Sequence, residues 1–172
     1  GARALRSGGI PQTKQRRGVR RVIGPAMSWL RLSPARRALA REAAVELVRT
    51  WALVRFRPFA TYAPRLGIAT SGEPEPDWEG DLRVLVEVRW AVRRWTHASG
   101  GCFTCLMQAM AAQDLLARRG VSSAVVLGVK PGRSGTGPTA HAWLRVGPWV
   151  IVGGEGRNGY LAVASYNRAA GR

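Results

Sequence analysis

A cysteine opens the stretch that decides the fold of this chain, Cys105-Leu106-Met107-Gln108-Ala109-Met110-Ala111-Ala112-Gln113-Asp114-Leu115-Leu116-Ala117-Arg118-Arg119-Gly120. Its apolar residues recur at helical spacing and a glycine closes it, which predicts an amphipathic helix that ends near Gly120. A thiol at the start of a helix lies at the positive end of the helix dipole, which favours the reactive thiolate. Cys105 is therefore the candidate nucleophile of a cysteine-dependent acyl-transfer enzyme.

The sequence upstream of this cysteine predicts mainly helix. One helix begins with Ser33 as its N-cap, and another spans residues 81–95, where apolar residues again recur at helical spacing. A short helical piece at residues 59–66 stops near Gly67. The glycine-containing segment 97–101 is predicted to be the loop that leads into the nucleophile helix.

Downstream of Gly120 the pattern changes from helix to strand. Alternating and β-branched residues predict strands at 121–129, 139–146, 149–152 and 160–166. The two middle strands are separated only by a Gly-Pro turn, so they are predicted to pair antiparallel. Helices followed by such a sheet predict an α+β fold, with a mainly helical N-terminal part and the nucleophile helix packed on an antiparallel sheet.

Histidine is rare in this chain, which contains only His97 and His141. His141 lies in Ala140-His141-Ala142-Trp143-Leu144, within a predicted strand that follows the nucleophile helix. An imidazole opposite a thiol can accept its proton and later return it to a leaving amine. His141 is therefore the candidate general base.

A catalytic triad needs a third group that orients the imidazole. No Asp occurs after Asp114, and Glu155 is the only acid downstream of His141. Glu155 is predicted as the third catalytic residue, because an acid beyond the next strand can reach across the hairpin. Asn158, a dyad without a third member, or an acid from the N-terminal half remain alternatives.

The pair Cys102 and Cys105 also matches the pattern C-x-x-C. A thioredoxin-like redox site would require a strand immediately before the motif, whereas helix and loop are predicted there. A zinc site assembled from His97, Cys102, Cys105 and His141 lacks the second close ligand pair of structural zinc sites. The sequence therefore predicts no metal site and no cofactor.

The chain carries 27 Lys and Arg against 10 Asp and Glu, a formal net charge of +17. Such a charge favours anionic partners without choosing among acidic peptides, nucleic acid and membrane surfaces. No nucleotide-binding loop and no RNA-binding aromatic motif is present, so no specific nucleic acid is predicted. The most apolar long stretch is interrupted by charged residues, which argues against a membrane span. Two cysteines and no visible signal peptide indicate the reducing cytoplasm.

Three regions follow from these patterns. Residues 1–28 contain many basic residues and no acids, which predicts a disordered basic arm. Residues 29–100 form the helical N-terminal region, and residues 101–172 form the catalytic core.

Short motifs along the chain form a fairly specific combination. They are Leu32-Ser33, Pro58-Phe59, Leu66-Gly67, Cys105-Leu106, Gln108-Ala109, Ala111-Ala112-Gln113, Leu115-Leu116, Arg118-Arg119-Gly120, Leu127-Gly128-Val129, Ala140-His141-Ala142-Trp143-Leu144 and Val152-Gly153-Gly154. In this combination they resemble the leader peptidases of lasso peptide biosynthesis. These are the peptidase half of the split B protein and the C-terminal domain of the fused B protein of microcin maturation. The similarity covers roughly residues 29–166.

The resemblance implies a transglutaminase-like or papain-like fold and a cysteine peptidase. Such an enzyme removes the leader from a ribosomally made precursor peptide before macrolactam formation. The family's nucleophile corresponds to Cys105 and its general base to His141. The family's usual Asp has no counterpart, because Val152-Gly153-Gly154-Glu155 stands where it is expected.

The same resemblance implies partners. They are the leader region of the precursor peptide, a small leader-recognition protein, and an ATP-dependent, asparagine-synthetase-like macrolactam cyclase. Three other functions remain open: a transglutaminase-like acyl transferase with a different acceptor, a non-catalytic scaffold, and a basic nucleic-acid-binding protein.

Overall fold

The computed structural model describes residues 29, 31–73, 80–132 and 137–170, so the predicted basic arm lies outside the described residues. All elements below lie within Leu32–Arg172. The helices are α1 (Pro34–Phe56), α2 (Phe59–Tyr62), α3 (Leu82–Ala98) and α4 (Cys105–Ala117), with single 3₁₀ turns at Ala63–Leu66 and Gly154–Gly156. No helix in the described ranges has both the length and the apolar character needed to cross a membrane.

Each long helix begins at a polar residue that caps it. The side chain of Ser33 accepts a hydrogen bond from the main-chain N–H of Arg36, and Asp81 accepts one from Arg83. Thr104 does the same for α4, with its hydroxyl 3.4 Å from the N–H of Met107. A cap of this kind contributes about 1 kcal/mol. The Thr104 cap matters most here, because it makes Cys105 the first residue of α4.

Five strands form one antiparallel sheet in the order β1-β5-β2-β3-β4. They are β1 (Ile68–Thr70), β2 (Ser123–Lys130), β3 (Thr139–Val146), β4 (Trp149–Val152) and β5 (Leu161–Arg168). In the register of β2 and β3, Gly128 is opposite His141. The sheet therefore carries His141 on a central hairpin, next to the short strand β4.

Helix α4 lies between the sheet and the other long helices. It contacts β2, β3 and β4, and it also contacts α1 and α3. Nine of its 13 residues are buried, including Leu115 and Leu116. Burial of this much apolar surface is the main stabilising contribution in a domain of this size. It fixes the helix that Cys105 begins.

The α+β fold predicted from the sequence is confirmed, with the helical part first and the antiparallel sheet after it. Three local predictions were wrong. Strand β1 was missed, and His97 lies in the last turn of α3 instead of the predicted loop. Helix α4 is buried nearly all round instead of amphipathic, because α1 and α3 cover the side that faces away from the sheet.

Candidate active site

Cys105 and His141 line the same cleft, which has a cavity volume of about 310 Å³. Its walls come from α3, from the start of α4, from β3 and from the turn after β4. The lining residues are Arg89, Arg93, Thr96, His97, Cys105, Gln108, His141, Val152, Gly153, Gly154, Glu155 and Gly156. The cleft thus brings together all three residues that the sequence singled out for catalysis.

The thiol of Cys105 is half-buried at the first position of α4. One turn along the helix, the side-chain amide of Gln108 donates a 2.9 Å hydrogen bond to the carbonyl of Phe103. The hydroxyl of Thr50 on α1 donates to the carbonyl of Met107 at 3.2 Å. These contacts fasten the loop before Cys105 and the first turn after it. The nucleophile candidate therefore sits on a well-supported helix start.

The imidazole of His141 is held by a main-chain carbonyl. Its Nε2 lies 2.7 Å from the carbonyl oxygen of Gly153. Because a carbonyl oxygen can only accept, this hydrogen bond requires Nε2 to carry the proton. In the neutral ring, Nδ1 is then the basic nitrogen. The interaction occupies the position at which a triad would use a carboxylate.

Aromatic rings pack beside this imidazole. The ring centroid of Tyr160 is 5.2 Å from that of His141, and the Trp143 ring stacks at 6.1 Å. A Cβ at Gly128 would lie only 2.7 Å from the ring of Trp143, so the facing strand needs glycine at this point. The rings restrict the motion of the imidazole to small displacements.

Glycine permits the turn at residues 153–156 to close over the imidazole. Gly153 has a φ of +80°, and a Cβ there would be 2.4 Å from the carbonyl oxygen of Ala142. A Cβ at Gly156 would be 3.2 Å from Cε1 of His141. The absence of side chains at these positions is therefore what brings the Gly153 carbonyl to the histidine.

Glu155 lies in the same turn, but its carboxylate faces arginines of α3. It forms an ion pair with Arg93, and its Oε1 is 3.7 Å from a guanidinium nitrogen of Arg89. The hydrogen bond from Arg93 lowers the pKa of Glu155 below the usual value. Asn158, the alternative orienting residue, lines a neighbouring pocket with Glu73 and Tyr160. The catalytic role of Glu155 stays a prediction, and the observed partner of His141 Nε2 is Gly153.

The basic wall on α3 was missed in the sequence. Arg89, Arg93 and His97 are four residues apart, so they share one face of a helix. That spacing was visible in the predicted helix, but nothing local showed that this face borders the cysteine. The side chain of Gln108, one turn after Cys105, was missed for the same reason.

The remaining candidate ligands are not gathered as a metal site. Cys102 is exposed and Cys105 half-buried, and both are free thiols. Within the described part of the chain, no group of three or more His, Cys, Asp or Glu side chains is arranged to hold a metal ion. His97, Cys105 and His141 border one cleft, but with Cys102 they are not arranged as the ligands of one metal ion.

Comparison with known proteins identifies the family of this fold. The family model described as the transglutaminase-like superfamily matches residues 47–165. No curated protein and no solved structure matches the chain significantly. The matched region extends from α1 into β5 and includes both Cys105 and His141. The chain belongs to the transglutaminase-like superfamily.

Proposed function

We propose that this protein is a cysteine peptidase that removes the leader from a lasso peptide precursor before the macrolactam is formed. The observation that carries the proposal is the single cleft that contains the half-buried thiol of Cys105 and the imidazole of His141. Membership of the transglutaminase-like superfamily, which includes cysteine peptidases, supports it. The motif resemblance over residues 29–166 supplies the substrate class.

In the proposed mechanism, Nδ1 of His141 accepts the proton of the Cys105 thiol. The thiolate attacks the carbonyl carbon at the leader–core junction, and a tetrahedral oxyanion forms. The hydroxyl and carbonyl of Thr104 already accept from the N–H groups of Met107 and Gln108, so the natural donors to this oxyanion are the main-chain N–H groups of Cys105 and Leu106. His141 then protonates the leaving amine, and water hydrolyses the thioester.

The carbonyl of Gly153 takes the place of the missing Asp in this mechanism. Its hydrogen bond fixes the ring orientation and keeps the proton on Nε2, so that Nδ1 is available as the base. A neutral carbonyl stabilises the imidazolium less than a carboxylate does. In the same turn, the carboxylate of Glu155 pairs with Arg93 of α3.

The proposed partners are the precursor peptide, a small leader-recognition protein, and an ATP-dependent, asparagine-synthetase-like cyclase that closes the ring on the freed core. We place the reaction in the cytoplasm, where free thiols persist. The formal net charge of +17 suits an acidic precursor or an acidic partner surface.

Mass spectrometry of the precursor from the neighbouring genes, incubated with the recognition protein and this chain, tests the proposal. We expect the leader-sized mass loss with the wild type and with Cys102→Ser, and its absence with Cys105→Ala and His141→Ala. Full cleavage by either of the last two variants would refute the assignment of these residues. The Cys102→Ser control shows that loss of a thiol in general is not the cause.

A transglutaminase-like acyl transferase is the second candidate, because the superfamily also contains acyl transferases. Both functions use the same thioester. They differ in the acceptor, so a product that has gained an amine instead of water identifies the transferase. A protein that binds the precursor and modifies nothing, with its partners folded and bound, would instead be a scaffold.

A further inference from the structure

Basic side chains of α3 form one wall of the cleft. Arg89, Arg93 and His97 line the same cavity as Cys105 and His141. The side chains of Arg89 and Arg93 are 41% and 34% exposed, so both are accessible from solvent. The wall and Cys105 therefore border the same cavity, which is where a peptide must bind if Cys105 is to attack it.

The guanidinium of Arg89 is held in place by strand β4. Its Nη1 donates to the carbonyl of Ile151 at 3.0 Å and to that of Val150 at 3.3 Å. Its Nη2 faces the cleft, 3.7 Å from Oε1 of Glu155. A guanidinium that is already fixed loses little conformational entropy when it binds a second group.

Glu155 is the only carboxylate among the described residues that line the cleft. A single oxygen, Oε1, faces both Arg89 and Arg93, so one negative charge lies against two positive charges. Its side chain is 73% exposed, and exposed ion pairs of this kind contribute little and are screened by salt. Another carboxylate can therefore join Glu155 at the arginines or displace it.

We propose that Arg89 and Arg93 form a carboxylate subsite for the substrate, and that Glu155 occupies it while the cleft is empty. The subsite takes an acidic group of the peptide close to the bond that Cys105 attacks. A guanidinium binds a carboxylate through two parallel hydrogen bonds, which gives direction as well as charge. This inference rests on the proposed function, because it assigns the substrate chemistry of the same cleft.

The acidic group is either an Asp or Glu side chain or a C-terminal carboxylate, and alkylation of Cys105 distinguishes them without requiring cleavage. Three probes are compared: bromoacetyl-aspartate α-amide, bromoacetyl-alanine with a free carboxylate, and bromoacetyl-alanine amide. In each, the thiolate displaces bromide and forms a thioether. The full chain with Cys102→Ser leaves one reactive thiol, and intact-mass measurements give the half-saturating concentration of each probe.

We expect at least one acidic probe to half-saturate at a concentration about threefold to tenfold below that of the neutral probe. The acidic probe with the larger preference identifies the source of the carboxylate. The preference is lost in Arg89→Gln and Arg93→Gln and increases in Glu155→Gln, where the internal carboxylate is removed. Arg83→Gln, which removes one charge from an exposed position of the same helix, retains it.

Equal half-saturation by all three probes in the wild type would overturn the subsite. So would a preference that survives in the Arg89→Gln, Arg93→Gln double variant, because it would then reflect only the overall positive charge. The precursor assay separates this result from the proposed function. Cleavage without a probe preference would refute the subsite alone, whereas a probe preference without cleavage would refute the peptidase function alone.

Discussion

The two catalytic candidates are positioned by different physical interactions. Cys105 begins α4, a helix with nine buried residues out of 13 that is packed between a sheet and two helices. His141 is positioned by a turn at residues 153–156 whose 3₁₀ segment has no buried residue. There the contacts are one main-chain carbonyl and the exposed ion pairs of Glu155, with two aromatic rings beside the imidazole, and glycines leave room for the turn. The position of Cys105 should therefore tolerate changes in its surroundings that the position of His141 does not.

The largest expected effect on stability comes from removing a buried side chain of α4, the helix that positions Cys105. Leu115→Ala removes a fully buried side chain of α4 and should lower the free energy of unfolding by about 2–5 kcal/mol. Val86→Ala on α3, where the side chain is 59% exposed, is the matched control and should change it by less than about 0.5 kcal/mol. Urea denaturation measures both, and similar values for the two variants would show that α4 is not the centre of the core.

A smaller effect is expected where α4 is joined to the sheet by a polar side chain. The buried amide of Gln113 donates to the carbonyls of Leu66, Tyr166 and Ser123, at 3.0, 3.3 and 3.4 Å. Gln113→Leu keeps the size of the side chain but leaves these carbonyls without that donor, and should destabilise by about 1–3 kcal/mol. Urea denaturation of this variant beside the wild type is the measurement. An unchanged midpoint would mean that water replaces the amide.

In the turn beside His141, Gly156→Ala should affect activity more than stability. Its Cβ would lie 3.2 Å from Cε1 and 3.3 Å from Nε2 of His141, so the imidazole must shift. A barrier higher by about 1.4 kcal/mol reduces the rate of precursor cleavage about tenfold. Gly137→Ala has open space for its Cβ and is the control for glycine replacement. A Gly156→Ala enzyme that cleaves at the wild-type rate would contradict the proposed placement of His141.

The smallest expected effect is the pH dependence of the exposed ion pair. The pKa of Glu155 is lowered by Arg93, so the folded state binds this proton less readily than the unfolded chain does. The pair therefore stabilises the fold above the unfolded value of 4.5, and this contribution disappears as the pH falls through the lower folded value. Urea midpoints of wild type and Glu155→Gln should differ slightly at pH 7 and converge in acid. A difference that grows on acidification would have the wrong sign.

Sequence patterns predicted most elements because their signals are local. Ser33 was predicted as an N-cap and residue 81 as the start of the next helix, and the Gly-Pro turn marked the hairpin of β3 and β4. Strand β1 was missed because its three exposed residues carry no pattern and become a strand only by pairing with β5. His97 was misplaced because the following glycines indicate a loop, yet α3 continues to Ala98.

The candidate site was predictable only in part. Cys105 and His141 were predicted because each lies in a distinctive local pattern, and both line one cleft of the structure. Arg89 and Arg93 could not be found, because a helix face does not show which neighbour it borders. The role of the Gly153 carbonyl could not be predicted either, because every residue carries the same main-chain acceptor whatever its side chain. The catalytic roles of Cys105 and His141 and the substrate-binding role of the two arginines stay proposals.

The sequence by itself determined the order of helices and strands, the helix start at Cys105, and the strand that carries His141. Capping residues, glycines and periodic apolar positions act over a few residues, so a short stretch of sequence is enough to predict these features. Only the tertiary structure decided that α4 is buried on nearly all sides, that a carbonyl partners His141, and that arginines line the same cleft as Cys105. Those outcomes depend on contacts between residues far apart in the chain, such as Arg93 with Glu155, which form only when the packed core brings their elements together.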